Sequence, residues 1–261
     1  QIQALRPTCA VRRMFRSACH KTKTLKTLTI AGVLTMNSIT GMAQVNRIDI
    51  VRPDAPSLAA YGEYDIGVRT LTLVDTDRVD VLSTRPGGKN AMYDRSLTVE
   101  VWYPARLVDG QLRGGEYRAI ARNPAIVATL YGQAVRDANP QTNAGAFPLV
   151  VISHGYPGNR YLMSHLGENL ASKGFVSVSI DHADSTYDDQ QAFSSTLYNR
   201  PLDQRFVIER MAQLSSDRQS FLFGMVDADN TGVVGYSMGG YGLVNNPVSY
   251  THLTLPTILL V

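Results

Sequence analysis

Ser237, in the run Gly235-Tyr236-Ser237-Met238-Gly239, has the setting of a nucleophile. A short apolar strand (Val233, Val234) enters the run, and the small-residue stretch Gly240, Tyr241, Gly242 leaves it. A serine hydroxyl attacks a carbonyl only when it is exposed, can lose its proton and has donors ready for the oxyanion. The GxSxG nucleophile elbow, a strained strand-to-helix turn, meets the first need by lifting the hydroxyl above the end of a sheet. The turn doubles back so tightly that a Cβ at Gly235 or Gly239 is expected to collide with the neighbouring strand or helix. The N–H of Met238, next after the serine, would point at the oxygen of a bound carbonyl as half of an oxyanion hole.

Such a turn needs parallel strands and crossover helices around it, and the chain supplies them in order. Leu149–Ser153 (LVVIS) is a continuous apolar strand of the kind that a parallel sheet buries on both faces. His154, Gly155, Tyr156, Pro157, Gly158 and Asn159 follow, then a helix with Leu162, Leu166 and Leu170 at i+4 spacing, stopped by Lys173 and Gly174. Phe175–Ile180 reads as the next strand, 181–191 as a polar loop, and Arg200–Ser216 as a long helix with Leu202, Phe206, Met211 and Leu214 on its core face. Strand, helix, strand, helix, strand, elbow is a right-handed parallel α/β succession.

Upstream, Asp65–Asp75 and Ser96–Tyr103 alternate apolar and polar residues, as half-exposed antiparallel strands do. A charged link with Pro86, Gly87 and Gly88 joins them. Trp102, the single tryptophan, is expected to pack under the sheet. Within 108–146 the first part reads as loop, and the spacing of Ile126, Leu130 and Ala134 is compatible with a short helix over Pro124–Arg136 placed over the site, a surface excursion being preferred to a lid.

The 261 residues, 44% hydrophobic and 18% charged, suit one large domain. The formal charge of +3 comes from residues 1–43, which hold seven basic and no acidic residues; the rest has 18 basic against 22 acidic, net −4. Nucleic acid binding therefore lacks electrostatic support. Residues 1–43 are built like a secretory signal peptide: Lys21, Lys23 and Lys26, an apolar run Leu28–Met36, then Gly41, Met42, Ala43 before Gln44, with cleavage expected after Ala43. The apolar run is too short for a stable membrane span. Met14 is a plausible start, with 1–13 as translated upstream sequence. Cys9 and Cys19 both lie in this leader, so the mature chain from Gln44 would have no disulfide and no cysteine metal site. Residues 44–63, polar and proline-containing, read as an N-terminal arm before a domain over 64–246.

The stretches YDIGVRTLTLVD, VEVWYPA, FPLVVISHGYPGNRYLMSHLGENLASKGFVSVSIDH, RPLDQRFVIERM and GVVGYSMGGYG resemble the α/β-hydrolase fold. Within it they resemble the platelet-activating-factor acetylhydrolases and the dienelactone-hydrolase-like lipases and esterases. The resemblance covers most of 64–242. It implies a mostly parallel sheet with helices on both faces, no cofactor or metal, and a small-molecule or lipid ester as substrate in a secreted or periplasmic setting. It also implies that the residue after Ser153-His154-Gly155, Tyr156, donates the second oxyanion N–H beside Met238. Serine rather than cysteine at 237 points to ordinary ester cleavage.

In this fold the triad is expected in the order Ser, Asp, His. His154 and His182 precede the serine, so His154 is read as structural, and His182 with Asp181, Asp184, Asp188 and Asp189 as a solvated acidic loop rather than a metal site. Only 24 residues follow Ser237, and Pro247–Thr257 resembles a translated sequencing-library adapter, with 258–261 as further read-through. The triad Asp and His are thus expected beyond this sequence, and His252 is not expected to serve. Without later strands, Gly232–Tyr236 is expected to be an exposed edge, and residues 44–261 alone to be insoluble or partly unfolded and inactive. A peptidase of the same fold and a non-catalytic binding protein are the alternatives.

Overall fold

The computed structural model describes residues 46–246 and 257–260. Residues 1–43, expected to be a signal peptide, and His252 lie outside them. Among the described residues ten strands and three α-helices succeed one another: β1 Asp65–Val79, β2 Met92–Arg106, β3 Gly115–Ile120, β4 Val127–Gly132, β5 Val135–Arg136, β6 Asn139–Pro140, β7 Phe147–Ser153, α1 Ser164–Ser172, β8 Val176–Asp181, α2 Phe193–Ser216, β9 Val226–Tyr236, α3 Met238–Asn245 and β10 Thr257–Leu260. The main sheet runs β10-β9-β7-β8-β2-β1-β5, with β6 beside β2; β3 and β4 form a separate hairpin. Strands β10, β9, β7 and β8 are mutually parallel, and the β2–β1 pair turns antiparallel against β8. This is the α/β-hydrolase fold.

The five strands read from sequence are present, each longer or shifted by a residue or more. Strand β1 alternates as expected over Arg69–Val74, whereas β2 is not half-exposed, because both of its faces are covered. Leu97, Val99, Val101 and Tyr103 enter the core that β7, β8 and α2 share. On the other face Trp102 packs with Tyr117, Tyr161 and Ala171, and its indole N–H donates to Tyr117 Oη at 2.9 Å. Helix α1 packs Leu166 and Leu170 against Val150, Ile152 and Val234, while α2 buries Val207 and Met211 on the opposite face. Each helix thus covers one side of the sheet.

Two expectations fail here. Pro124–Arg136 is no helix: Val127–Gly132 pairs antiparallel with Gly115–Ile120 in a hairpin. The i+4 spacing of Ile126, Leu130 and Ala134 is outweighed by a buried carboxylate. Glu168 of α1 accepts from the N–H groups of Gln133 and Ala134 at 2.9 and 3.0 Å, and from the hydroxyls of Tyr117 and Tyr61. Amide N–H groups bonded to an outside acceptor are not available to a helix ladder. Nor is Gly232–Tyr236 an exposed edge. Thr257–Leu260 runs parallel along it, from Thr257 opposite Val233 to Leu260 opposite Tyr236, and takes up backbone groups that an edge leaves unpaired. Insolubility argued from that edge loses its ground.

Candidate active site

Strand β9 ends at Tyr236, α3 starts at Met238, and Ser237 is the hinge between them. Its backbone has φ 52° and ψ −115°, in the positive-φ region that costs a non-glycine residue about 1–3 kcal/mol, so the surrounding packing must impose it. The imposing contacts are the two glycines. A Cβ on Gly235 would lie 2.3 Å from the Gly239 carbonyl carbon, and one on Gly239 would lie 2.0 Å from the Ser153 carbonyl oxygen. Strand and helix therefore touch backbone to backbone, with the serine thrown outward and exposed.

Ser153, the last residue of β7, pairs with Gly235 across the sheet, so the loop after β7 stands beside the elbow. A Cβ on Gly155 would be 3.2 Å from Ser237 Cβ and 3.2 Å from the Tyr236 ring. Tyr156 follows on this same edge, and Met238 opens α3. Tyr156 stacks edge-on to Phe193 with centroids 5.0 Å apart. Phe193 and Tyr236 are 45% and 51% exposed, and the Tyr236 ring stands beside the serine at Gly155. Among the described residues no side chain hydrogen-bonds Ser237, and their histidines, His154, His165 and His182, are engaged or placed elsewhere.

Beneath the elbow lies a group that the sequence reading missed. Ser153 Oγ is 2.8 Å from His182 Nε2, and His182 Nδ1 is 2.9 Å from Asp203 Oδ2. All three residues are buried. This has the connectivity of a catalytic triad but no access for a substrate. Asp203 also accepts from Arg95 through Nε and Nη2, at 2.8 and 2.9 Å, and from Arg78 at 3.2 Å. Arg95 reaches on to Asp184, and Arg200 bonds Ser185. The segment 181–191 is therefore not a solvated acidic loop: His182, Asp184, Ser185 and Thr186 are buried, and Asp188, Asp189, Gln190 and Gln191 face water. Helix α2 begins at Phe193 rather than Arg200, carrying Pro201 inside it. Its buried face is Arg200, Asp203, Gln204, Val207 and Met211, with Leu202, Phe206 and Leu214 half-buried. Polar residues at i, i+3 and i+4 running into Val207 and Met211 at i+7 and i+11 carried the helical period that would have revealed this.

His154 is structural, as expected: Nδ1–H donates to the Gly155 carbonyl at 2.7 Å and Nε2 accepts from the His182 N–H at 3.3 Å. Burial and the nearby Arg200 charge hold it well below the usual imidazole range. Burial, then Arg200, pushes His182 down to about 3 despite its bond to Asp203. Burial opposes the charged form of Asp203 too, but Arg95 and His182 prevail and hold its carboxyl well below the usual range. Below pH 6.5 the unfolded chain protonates these histidines while the folded one does not. The unfolded state then binds more protons, so stability is lost as the pH is lowered. Over the window from about 6.5 towards 3, each histidine contributes up to about 1.4 kcal/mol per pH unit. Below about pH 4 Asp203 adds to the loss, because its stabilisation is present above the unfolded carboxylate pKa and disappears as the folded one is approached. Urea unfolding should give a stability about 2–4 kcal/mol lower at pH 5 than at pH 7; a flat profile between these values would contradict the buried neutral pair.

A protein family described as PET hydrolase-like matches residues 120–255. A cutinase of Thermobifida alba is 33% identical over 103 residues, 40% of this chain and 31% of that enzyme. The bis(hydroxyethyl) terephthalate hydrolase of Streptomyces coelicolor is 30% identical over 132 residues, 50% of this chain and 38% of that enzyme. The chain thus spans about a third of the length of these curated relatives. Among solved structures, a ferulic acid esterase from Streptomyces cinnamoneus aligns with TM-score 0.56 and 26% identity over 80% of this chain and 60% of its own.

Proposed function

The chain belongs to the PET hydrolase-like family, and from that premise we propose that the protein hydrolyses carboxylic esters through an acyl-enzyme at Ser237. The observation that carries this is the exposed serine held at positive φ beside the loop after β7. Ser237 Oγ adds to the ester carbonyl, giving up its proton to a histidine base. The N–H groups of Met238 and Tyr156 take the oxyanion. The alcohol leaves with the returned proton, and water releases the acid by the same steps. Gly235 and Gly239 hold the turn. The base and its aspartate are assigned to sequence after Asn246, in the order the fold uses.

The acyl group we assign is an aryl carboxylate. The exposed Tyr236 adjoins the serine, the Tyr156–Phe193 ring pair stands on the loop after β7, and relatives are named for terephthalate and ferulate esters. Aromatic pairs add about 0.5–1.5 kcal/mol beyond area burial, so the full-length protein should prefer ethyl ferulate or bis(hydroxyethyl) terephthalate over ethyl butyrate by about tenfold in kcat/KM. A preference for a short-acyl phospholipid would favour the acetylhydrolase reading, which rests on the shared SHG loop and elbow. Hydrolysis of none of these would end the esterase proposal.

A further inference from the structure

We propose that Arg200, with Gln204 one helical turn on, is the positioning residue of the oxyanion hole. This rests on the reading of Tyr156 and Met238 N–H as the two donors. Arg200 is buried, and its guanidinium donates to two successive carbonyls of the loop after β7: Nη1 to His154 at 2.5 Å and Nη2 to Gly155 at 3.3 Å. The Gly155 carbonyl and the Tyr156 N–H belong to one planar trans peptide and point in opposite directions. Holding the carbonyl toward Arg200, in the interior, turns the Tyr156 N–H out of it. His154 Nδ1–H grips the same carbonyl at 2.7 Å, so rotation of that peptide breaks bonds from two side chains.

Gln204 does the corresponding work on the elbow. Its Nε2 donates to the Gly239 carbonyl at 2.8 Å, in the first turn of α3, and its Oε1 accepts from Asn246 at 2.7 Å. Residues four apart on a helix share a face about 6 Å apart along the axis. One turn of α2 therefore sets the separation between the loop carrying Tyr156 and the turn carrying Met238. Arg200 adds a second effect. A cation bonded to an amide carbonyl polarises that amide and strengthens its N–H as a donor, since linked hydrogen bonds reinforce one another. Its pKa, lowered to about 10 by burial, leaves it charged at neutral pH.

The test uses the full-length protein and a soluble p-nitrophenyl ester. Arg200→Met should lower kcat on the order of 100-fold, as loss of an oxyanion donor does, with KM changed less than about threefold and affinity for a boronic acid, whose tetrahedral adduct fills the hole, falling in parallel. Arg200→Lys keeps the charge but loses the two-pronged grip and should retain more kcat than Arg200→Met. Gln204→Leu should lower kcat, again with KM nearly unchanged. The lysine and leucine variants decide the matter even if Arg200→Met does not fold. Unchanged kcat in folded variants, or a change in KM alone, would overturn the proposal. Ser237→Ala separates the two readings: if it is inactive while the Arg200 variants keep full kcat, positioning fails and the nucleophile stands. If Ser237→Ala stays active, the nucleophile assignment itself fails.

Discussion

Ser237→Ala in the full-length protein should reduce ester turnover by on the order of 10⁴ to 10⁶-fold in kcat, the range seen when a serine nucleophile is removed and only binding and oxyanion stabilisation remain. The fold should survive the change. The hydroxyl makes no side-chain hydrogen bond among the described residues, and alanine meets the same backbone conformation that serine already adopts at φ 52°. Exposed substitutions of this kind stay within about 0.5 kcal/mol. A large kinetic loss without a shift in the urea midpoint separates chemistry from stability. Turnover within tenfold of the parent would remove Ser237 from the mechanism.

Asp203→Ala should do the reverse, unfolding the protein rather than disarming it. Asp203 is the common acceptor for Arg95, Arg78 and His182, and it has no contact with water. Its removal leaves Arg95 with Asp184 and Arg78 with Asp75, each charge now undercompensated in the interior. Breaking a buried pair by deleting one partner costs about 3–5 kcal/mol, against a total stability of about 5–15 kcal/mol for a domain. Asp203→Asn keeps the shape and some hydrogen bonds, so its loss should be smaller. A cost below about 1 kcal/mol for the alanine variant, from urea unfolding at pH 7, would show that the network contributes little.

The elbow was legible in sequence because its constraints are local. Gly235 and Gly239 are dictated by backbone contacts within a few residues, and the apolar strand before them has no other use. Strand β7 was legible for a similar reason, since Leu149–Ile152 is buried on both faces and reads as a continuous apolar run, while β8 places Ser177 and Ser179 between its apolar residues. The hairpin β3–β4 was not, because its state is set by Glu168, some 35 residues on, accepting backbone N–H groups from Gln133 and Ala134. The loop after β8 was misread for the same cause. Asp184 looks solvated until Arg95 of β2, 89 residues earlier, is brought beside it by the pairing of β2 with β8. On α2 the apolar residues Leu202 and Phe206 suggested the core face, but the face that meets the elbow is polar, since it must bond loop carbonyls that have no strand partners.

Two serines among the described residues have part of what a nucleophile needs. Ser237 is exposed on the strained turn, whereas Ser153 has a histidine and an aspartate in line but is sealed in the interior. Reaction of the full-length protein with a fluorophosphonate, followed by peptide mapping, decides between them. A single adduct on the peptide containing Ser237, absent in Ser237→Ala, is the expected result. An active protein labelled at Ser153, or one that turns over esters without labelling at Ser237, would contradict it.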